Sequence, residues 1–183
     1  MNLIRKINKS AHLFRNTKAL CLAAMLTALM IVLSAFDIPI VPEALYLSFD
    51  FLALASIGML LGPAYGMACG AVADVLSWAA FPKGGFFPGY TLSAVAAGLI
   101  YGGILFENPK SGNYLPYLLA RGLVNLICNC FLNTLWVELQ ANVDMSKLMF
   151  TRLWKNLLML PVEALVLYAV SMVIIRVKPN LKS

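Results

Sequence analysis

Charged residues are scarce in this chain. Only 12% of its 183 positions are Asp, Glu, Lys or Arg, whereas 61% are hydrophobic, and the mean hydropathy is +0.82. A soluble domain usually carries about 25% charged residues. The composition therefore excludes an ordinary soluble protein and indicates an integral membrane protein.

Residues that build metal sites and catalytic triads are also few. His12 is the only histidine, so neither a histidine-based metal site nor a Ser-His-Asp triad can be assembled. The four cysteines lack paired CxxC spacing. The chain has no GxxxxGK[ST] phosphate loop, so in any ATP-driven process another subunit must bind the nucleotide. We predict no catalytic residue, no metal, no cofactor and no nucleic-acid partner.

Long apolar segments predict the membrane spans. A helix needs about 17 to 25 mostly apolar residues to cross a bilayer. One apolar run is interrupted by Gly62-Pro63, which predicts a hairpin of two helices. We predict an all-α bundle of six transmembrane helices, at residues 19–36, 45–61, 64–80, 84–106, 116–138 and 156–175.

Basic residues flank the first and the last predicted span. Under the positive-inside rule they place both termini in the cytoplasm. We predict a single membrane domain over 1–183, with a basic cytoplasmic tail at 1–17 and the bundle at 18–177. The residues that set this orientation are Arg5, Lys6, Lys9, Arg15 and Lys18 at one end and Arg176, Lys178 and Lys182 at the other.

A stripe of polar side chains interrupts the fifth predicted helix. Arg121, Asn125, Asn129 and Asn133 are four residues apart, which places a guanidinium and three carboxamides on one helix face. Such groups are costly at membrane depth and normally face a cavity or another helix. We predict a binding pocket for a flat ligand rich in nitrogen and oxygen. Hydrogen bonding between helices remains the alternative.

An aromatic, glycine- and proline-rich segment joins the third and fourth predicted spans on the outer side. It includes Trp78, Phe87 and Tyr90. Trp and Tyr often anchor a helix at the membrane interface. Glycines and prolines beside these rings are also typical of loops that bind and cover ligands. We predict a gate over the pocket and keep interface anchoring as the alternative.

Three acidic residues lie in or near the predicted spans. Asp74 falls near mid-membrane, where the long side chain of Arg121 has the reach to pair with it. Glu163, just beyond Pro161, is the competing partner. If Arg121 pairs with one of these two acids, the other is left to accept a hydrogen bond from a ligand. Asp50, near the outer end of its helix, is equally compatible with solvation.

Small residues form a ladder in the first predicted span. Ala24 and Ala28 form an AxxxA pattern, which lets another helix approach closely. We predict that this face docks a partner protein. Packing inside the bundle is the alternative. Gly62, Gly66 and Gly70 repeat the small-residue pattern after the hairpin turn, and for them we predict internal packing only.

The chain resembles the substrate-binding S components of energy-coupling factor (ECF) transporters, specifically the folate-specific members. The resemblance extends from Thr17 to Lys178. It rests on the AxxxA of the first span, the turn Leu61-Gly62-Pro63, the run Phe-Phe-Pro-Gly-Tyr-Thr-Leu-Ser-Ala at 86–94, and the polar stripe continuing to Trp136. The family implies a six-helix fold in the cell membrane, folate as ligand, an EcfT-type transmembrane coupling subunit and two cytoplasmic ATPase subunits.

The chemistry of folate fits these residues. Its pterin ring presents donors and acceptors along its edge, which suits the Asn amides and a free acid, and its faces suit aromatic stacking. Its glutamate tail carries two carboxylates, which suit Lys83, Lys147, Arg152 and Lys155 at the outer side. The predicted ligand-binding residues are Trp78, Lys83, Phe87, Tyr90, Thr91, Arg121, Asn125, Asn129, Asn133, Trp136, Arg152 and Lys155.

The alternatives to a vitamin-capturing transporter subunit are an intramembrane enzyme, a structural membrane subunit and a channel. An intramembrane enzyme lacks a visible nucleophile with its base. A structural membrane subunit or a channel has no need of a tight ligand site. Within the transporter class, S components for thiamine or riboflavin are the alternatives, because aromatic stacking and Asn donors serve those rings as well. The basic residues at the outer side favour an anionic ligand.

Overall fold

The computed structural model describes residues 2–36, 38–41, 45–82, 85–107, 113–141 and 145–177. Helices dominate this part of the chain. They are α1 (Leu3–His12), a 3-10 turn (Leu13–Arg15), α2 (Thr17–Ser34), α3 (Asp50–Leu61), α4 (Pro63–Ala80), α5 (Pro88–Leu105), α6 (Leu115–Val124), a π-helical segment (Asn125–Leu132), α7 (Asn133–Ala141) and α8 (Met145–Val177).

Four described helical segments are long and apolar enough to cross a membrane. They are Thr17–Ser34, Pro88–Leu105, Leu115–Gln140 and Met149–Arg176. Helix α3 is apolar but shorter, and α4 has 18 residues. These four segments confirm the prediction of a helical membrane protein.

Two short strands precede α3, in addition to the predicted helices. Strands β1 (Ile38–Val41) and β2 (Leu45–Leu47) pair antiparallel, in the connection predicted as a loop and in the predicted start of the second span. Pro39 and the β-branched residues beside it disfavour a helix there. Helix α3 therefore begins at Asp50 rather than at residue 45.

The predicted helix break at Gly62-Pro63 is present. Gly62 has φ +91°, a left-handed conformation that glycine adopts readily, and its N–H donates to the carbonyl of Gly58 to close α3. Pro63 then occupies the first turn of α4, where its missing N–H has no partner to lose. The sequence thus fixes a sharp reversal between two apolar helices.

Helices α4 and α5 pack closely because glycines face each other. A Cβ added to Gly66 would lie 2.5 Å from the carbonyl oxygen of Gly98, and one added to Gly70 would lie 2.8 Å from that of Ala94. Small residues allow this approach between membrane helices. The prediction of internal packing is therefore confirmed for Gly66 and Gly70.

Helix α2 packs through one face only. Ala19 and Ala23 are buried in a cluster with Ile57, Leu61 and Tyr65 of α3 and α4. Ala24 and Ala28, on the adjacent face, are exposed. The alternative that these two alanines pack inside the chain is wrong.

The polar stripe runs along one helical column made of α6, the π-helical segment and α7. In a straight α-helix, residues four apart drift by about 40° per step around the axis. The π-helical turns at Asn125–Leu132 are wider and are closed by i→i+5 hydrogen bonds. They offset this drift, so the column keeps its polar side chains in line over three turns.

Candidate ligand-binding site

A cavity of about 650 Å³ lies between the helices, which is within the usual size range of small-molecule sites. Residues of α2 to α8 line it, together with residues that precede α3 and α5. Polar lining residues include Asp50, Asp74, Tyr101, Arg121, Asn129, Asn133, Gln140, Arg152, Lys155, Asn156 and Glu163.

Arg121 is held from three sides at this cavity. Its Nε donates to Oε2 of Glu163 at 2.9 Å, and its Nη1 donates to the hydroxyl of Tyr101 at 2.9 Å. Its guanidinium carbon lies 3.7 Å from the centre of the Phe51 ring, a cation–π arrangement. Arg121 and Glu163 are both buried. The pair joins α6 to α8 and fixes the guanidinium in the cavity wall.

The three asparagines form a chain of hydrogen bonds that begins at Glu163. Asn125 Nδ2 donates to Oε2 of Glu163 at 2.9 Å, and Asn129 Nδ2 donates to Oδ1 of Asn125 at 2.9 Å. Asn133 Nδ2 then approaches Oδ1 of Asn129 at 3.5 Å. The chain therefore combines interhelical bonding at Asn125 with cavity lining at Asn129 and Asn133.

The end of this chain carries an acceptor without a partner. Within the described structure, Oδ1 of Asn133 is buried and receives no hydrogen bond. Leaving a buried polar atom unpaired costs about 1 to 3 kcal/mol. Because Asn133 lines the cavity, a ligand N–H is the natural group to satisfy it.

Aromatic rings form another wall. Phe87 lies 5.6 Å from Trp136 and 6.1 Å from Tyr90 between ring centres, and Trp78 lies 5.1 Å from Phe86. Trp136 Nε1 donates to Oγ of Ser93 at 3.0 Å, which connects α7 to α5. These rings present flat apolar surface beside the amides.

Glycine at position 89 is required by this aromatic wall. A Cβ there would lie 2.5 Å from both the Phe87 ring and the Trp136 ring. The two rings therefore close over the first turn of α5, whose helix begins one residue earlier at Pro88.

The acidic residues are arranged differently from the sequence prediction. Arg121 pairs with Glu163, so the predicted pair between Asp74 and Arg121 is wrong. Asp74 instead accepts a hydrogen bond from Oγ1 of Thr91 at 2.6 Å, between α4 and α5. The packing of α6 against α8, which the sequence does not reveal, decides which acid reaches the guanidinium.

Two cations of α8 reach the cavity. Arg152 is buried, and its Nη1 approaches the backbone carbonyl of Asn129 at 3.4 Å. Lys155 lines the same cavity and is partly buried. Positive charge is thus located beside the amide chain.

The sequence is similar to those of known membrane proteins. Residues 18–175 match the sequence model of the family described as "ECF transporter, substrate-specific component". The chain belongs to this family. It is 37% identical over 145 residues to the folate transporter FolT of Clostridium novyi, covering 79% of this chain and 83% of that protein. It is 34% identical over 158 residues to FolT of Leuconostoc mesenteroides, covering 84% of each chain.

A solved structure also resembles this S component. The crystal structure of a FolT bound with folic acid aligns with a TM-score of 0.75 and 34% sequence identity. The alignment covers 83% of this chain and 91% of that chain. The predicted family resemblance is confirmed.

The structure brings most of the predicted site residues of this S component together. The predicted residues that line the cavity are Trp78, Phe87, Tyr90, Arg121, Asn129, Asn133, Arg152 and Lys155. Thr91, Asn125 and Trp136 contact lining residues through the hydrogen bonds given above. Lys83 lies outside the described residues, as does the side chain of Lys147. Ala24 and Ala28 are exposed on α2 and do not line the cavity.

The sequence prediction missed several lining residues. Tyr101 and Ser93 look like ordinary interior positions of an apolar helix. Asn156 carried a signal, because it lies four residues after Arg152 in a mostly apolar segment and therefore on the same helix face. In the structure its Nδ2 donates to Sγ of Cys130 at 3.2 Å.

Proposed function

We propose that this chain is the folate-capturing S component of an ECF-type ABC transporter. It binds the vitamin outside the cell and delivers it for ATP-dependent uptake by an associated energy-coupling module. The observation that carries the proposal is a cavity that combines amides, aromatic rings and cations, in a chain whose relatives include FolT proteins. The family is one of transporter components rather than enzymes.

The amide chain suits the edge of the pterin ring. Within the described structure, Asn133 offers an acceptor without a partner. Asp74 accepts a hydrogen bond from Thr91, which occupies only one of the acceptor sites of its carboxylate. Adjacent N–H groups on the aminopyrimidinone part of pterin donate to such acceptors. Trp78, Phe87 and Tyr90 supply surfaces for the ring faces.

The cations suit the glutamate tail. Arg152 and Lys155 line the cavity on α8, and charge-assisted hydrogen bonds to carboxylates are stronger than neutral ones. Thiamine and riboflavin carry no such pair of carboxylates, and no relative named above is a transporter of either. Folate is therefore the favoured ligand.

The proposed topology has six membrane spans and both termini in the cytoplasm. Helices α3 and α4, joined at Gly62, complete a set of six with the four longer segments. Basic residues at both ends of the sequence set the orientation. The whole of 1–183 then forms one multi-pass domain in the cell membrane.

The proposed partners are an EcfT-type coupling subunit and two cytoplasmic ATPases. The chain lacks a phosphate loop, so the nucleotide has to be bound elsewhere. Exposed Ala24 and Ala28 provide a smooth face on α2 against which a partner helix can pack.

The mass of the small molecule that copurifies with the chain tests the ligand assignment. After mild extraction and denaturation, we expect a folate by mass spectrometry. Recovery of thiamine or riboflavin instead, at one molecule per chain, would replace folate as the substrate.

A further inference from the structure

The N-terminal segment predicted as a basic tail forms helix α1 and docks on one end of the bundle. Ser10 is buried, and its hydroxyl donates to the carbonyl of Leu61 at 2.6 Å while it accepts from the N–H of Ala64 at 3.1 Å. Lys6 Nζ donates to the carbonyl of Gly103 at 2.7 Å. Lys9 forms an ion pair with Glu107.

These contacts place α1 at the ends of three helices. Leu61 ends α3, Ala64 lies in the first turn of α4, and Gly103 lies in the last turn of α5. Asn16 alone separates the 3-10 turn after α1 from the first residue of α2, a helix long and apolar enough to span. Helix α1 therefore lies at one end of α3, α4 and α5 and directly precedes α2.

The apolar side of α1 is only partly covered by the chain. Leu3 is 46% exposed and Ile4 is 72% exposed, although Leu3 approaches Gly103. Ile4 and Ala11, two helical turns apart, share this side and are both exposed. Arg5 and His12 fall outside this side, roughly 120° to 140° around the helix axis from its centre.

All charged residues of the N-terminal segment itself are basic, and Glu107 pairs with one of them, Lys9. Residues 1–36 contain no Asp or Glu, while Arg5, Arg15 and Lys18 are exposed within or beside the helix. A helix with one apolar face, a basic polar face and a position at the bilayer boundary has the features of an interfacial membrane helix. Basic residues near the surface are attracted to anionic lipid headgroups.

We propose that α1 lies in the cytoplasmic interface of the bilayer. Its Leu3, Ile4 and Ala11 face enters the acyl region, and Arg5, Arg15 and Lys18 bind the phosphates of anionic phospholipids. The proposal uses the orientation given above and is independent of the transported ligand. It explains why an apolar face remains exposed on a helix that is already docked through Ser10.

Spin labels on the full-length chain test the position of α1. Single cysteines replace Ile4, Ala11 or His12 in a Cys21→Ser variant, because Cys21 is the exposed native cysteine among the described residues. The labelled chains are placed in vesicles of phosphatidylglycerol and phosphatidylcholine. We expect labels at 4 and 11 to collide more with oxygen than with a water-soluble nickel chelate, and the label at 12 to show the reverse. Equal nickel access at all three positions would overturn the proposal.

The lipid selectivity of the protein tests whether the basic residues around α1 bind anionic phospholipids. Spin-labelled phosphatidylglycerol and phosphatidylcholine are compared at the boundary of the unlabelled chain and of its Arg5→Gln, Arg15→Gln variant. Both arginines are exposed, so the fold should be retained. We expect the preference for phosphatidylglycerol to fall by about fivefold per arginine removed. An unchanged preference would exclude anionic headgroups as the partner of these residues.

Discussion

Arg121 and Glu163 form a buried ion pair between α6 and α8. Nε of the arginine lies 2.9 Å from Oε2 of the glutamate, and only 7% and 6% of the two side chains is exposed. Asn125 donates to the same carboxylate oxygen. The pair therefore anchors the amide chain that lines the cavity.

Loss of this arginine should destabilise the protein. In Arg121→Ala, Glu163 keeps its charge in a buried site, and breaking such a pair typically costs about 3 to 5 kcal/mol. We expect a lower midpoint of thermal unfolding and weak folate binding. The double variant Arg121→Met, Glu163→Leu, which leaves no charge behind, should recover part of the stability. A single variant as stable as the wild type would contradict the structural role of the pair.

Asn133 should affect binding more than folding. Asn133 lines the cavity, and its Oδ1 is buried and lacks a partner in the described structure, so Asn133→Ala removes an acceptor but little internal bonding. We expect folate affinity to fall by roughly tenfold, or about 1.4 kcal/mol, in an equilibrium titration.

Thr134 provides the matched control for Asn133. Its Oγ1 is also buried and unpartnered in the described structure, but Thr134 does not line the cavity. Thr134→Val should leave folate affinity unchanged. Equal effects of the two substitutions would remove Asn133 from the pocket.

The cations of α8 should distinguish folate from a shortened ligand. Lys155→Glu and Arg152→Gln remove positive charge from the cavity wall, and only folate presents the glutamate carboxylates to it. We expect folate to lose roughly tenfold more affinity than 6-hydroxymethylpterin, a pterin fragment that carries no carboxylate. The two ligands are titrated against the same purified variants. Equal losses for both would show that the effect is structural.

The exposed alanines of α2 should separate capture from transport. Ala24→Trp and Ala28→Trp add bulk to an exposed face, so folate binding by the isolated chain should survive. Copurification with the coupling subunit, and with it ATP-dependent uptake, should fail.

Two other positions of α2 serve as controls for this face. Ala23 is buried, so Ala23→Trp should overpack the core at a cost of about 1 to 3 kcal/mol and impair folate binding too. Leu29 is exposed on a different side, so Leu29→Trp should keep both properties. If Ala24→Trp loses binding and association together, or neither, the docking-face assignment fails.

The polar stripe could be predicted from sequence because its physics is local. Amides spaced by one turn in an apolar segment must share a helix face. Because polar groups are costly in a membrane, that face is expected to meet a cavity or another helix. The helix break at Gly62-Pro63 could be predicted equally well, because glycine and proline are strong local signals of a turn. The π-helical segment at Asn125–Leu132 left no signal in the residue pattern.

Features set by distant contacts could not be predicted. The partner of Arg121 depends on how α6 packs on α8, and a depth argument alone favoured the wrong acid, Asp74. The docking of α1 depends on the buried hydroxyl of Ser10 meeting the helix break 51 residues away. The apolar spacing of Leu3, Ile4 and Ile7 was the available signal that this segment is an amphipathic helix.

Titration of the purified full-length chain with folic acid tests the central claim most directly. Trp78 lines the cavity and Trp136 packs against the lining residue Phe87, so ligand stacking should quench tryptophan fluorescence. We expect saturable quenching at one folate per chain, with thiamine and riboflavin unable to compete. Absence of saturable folate binding by a folded chain, or displacement of folate by either other vitamin at equal concentration, would contradict the assignment.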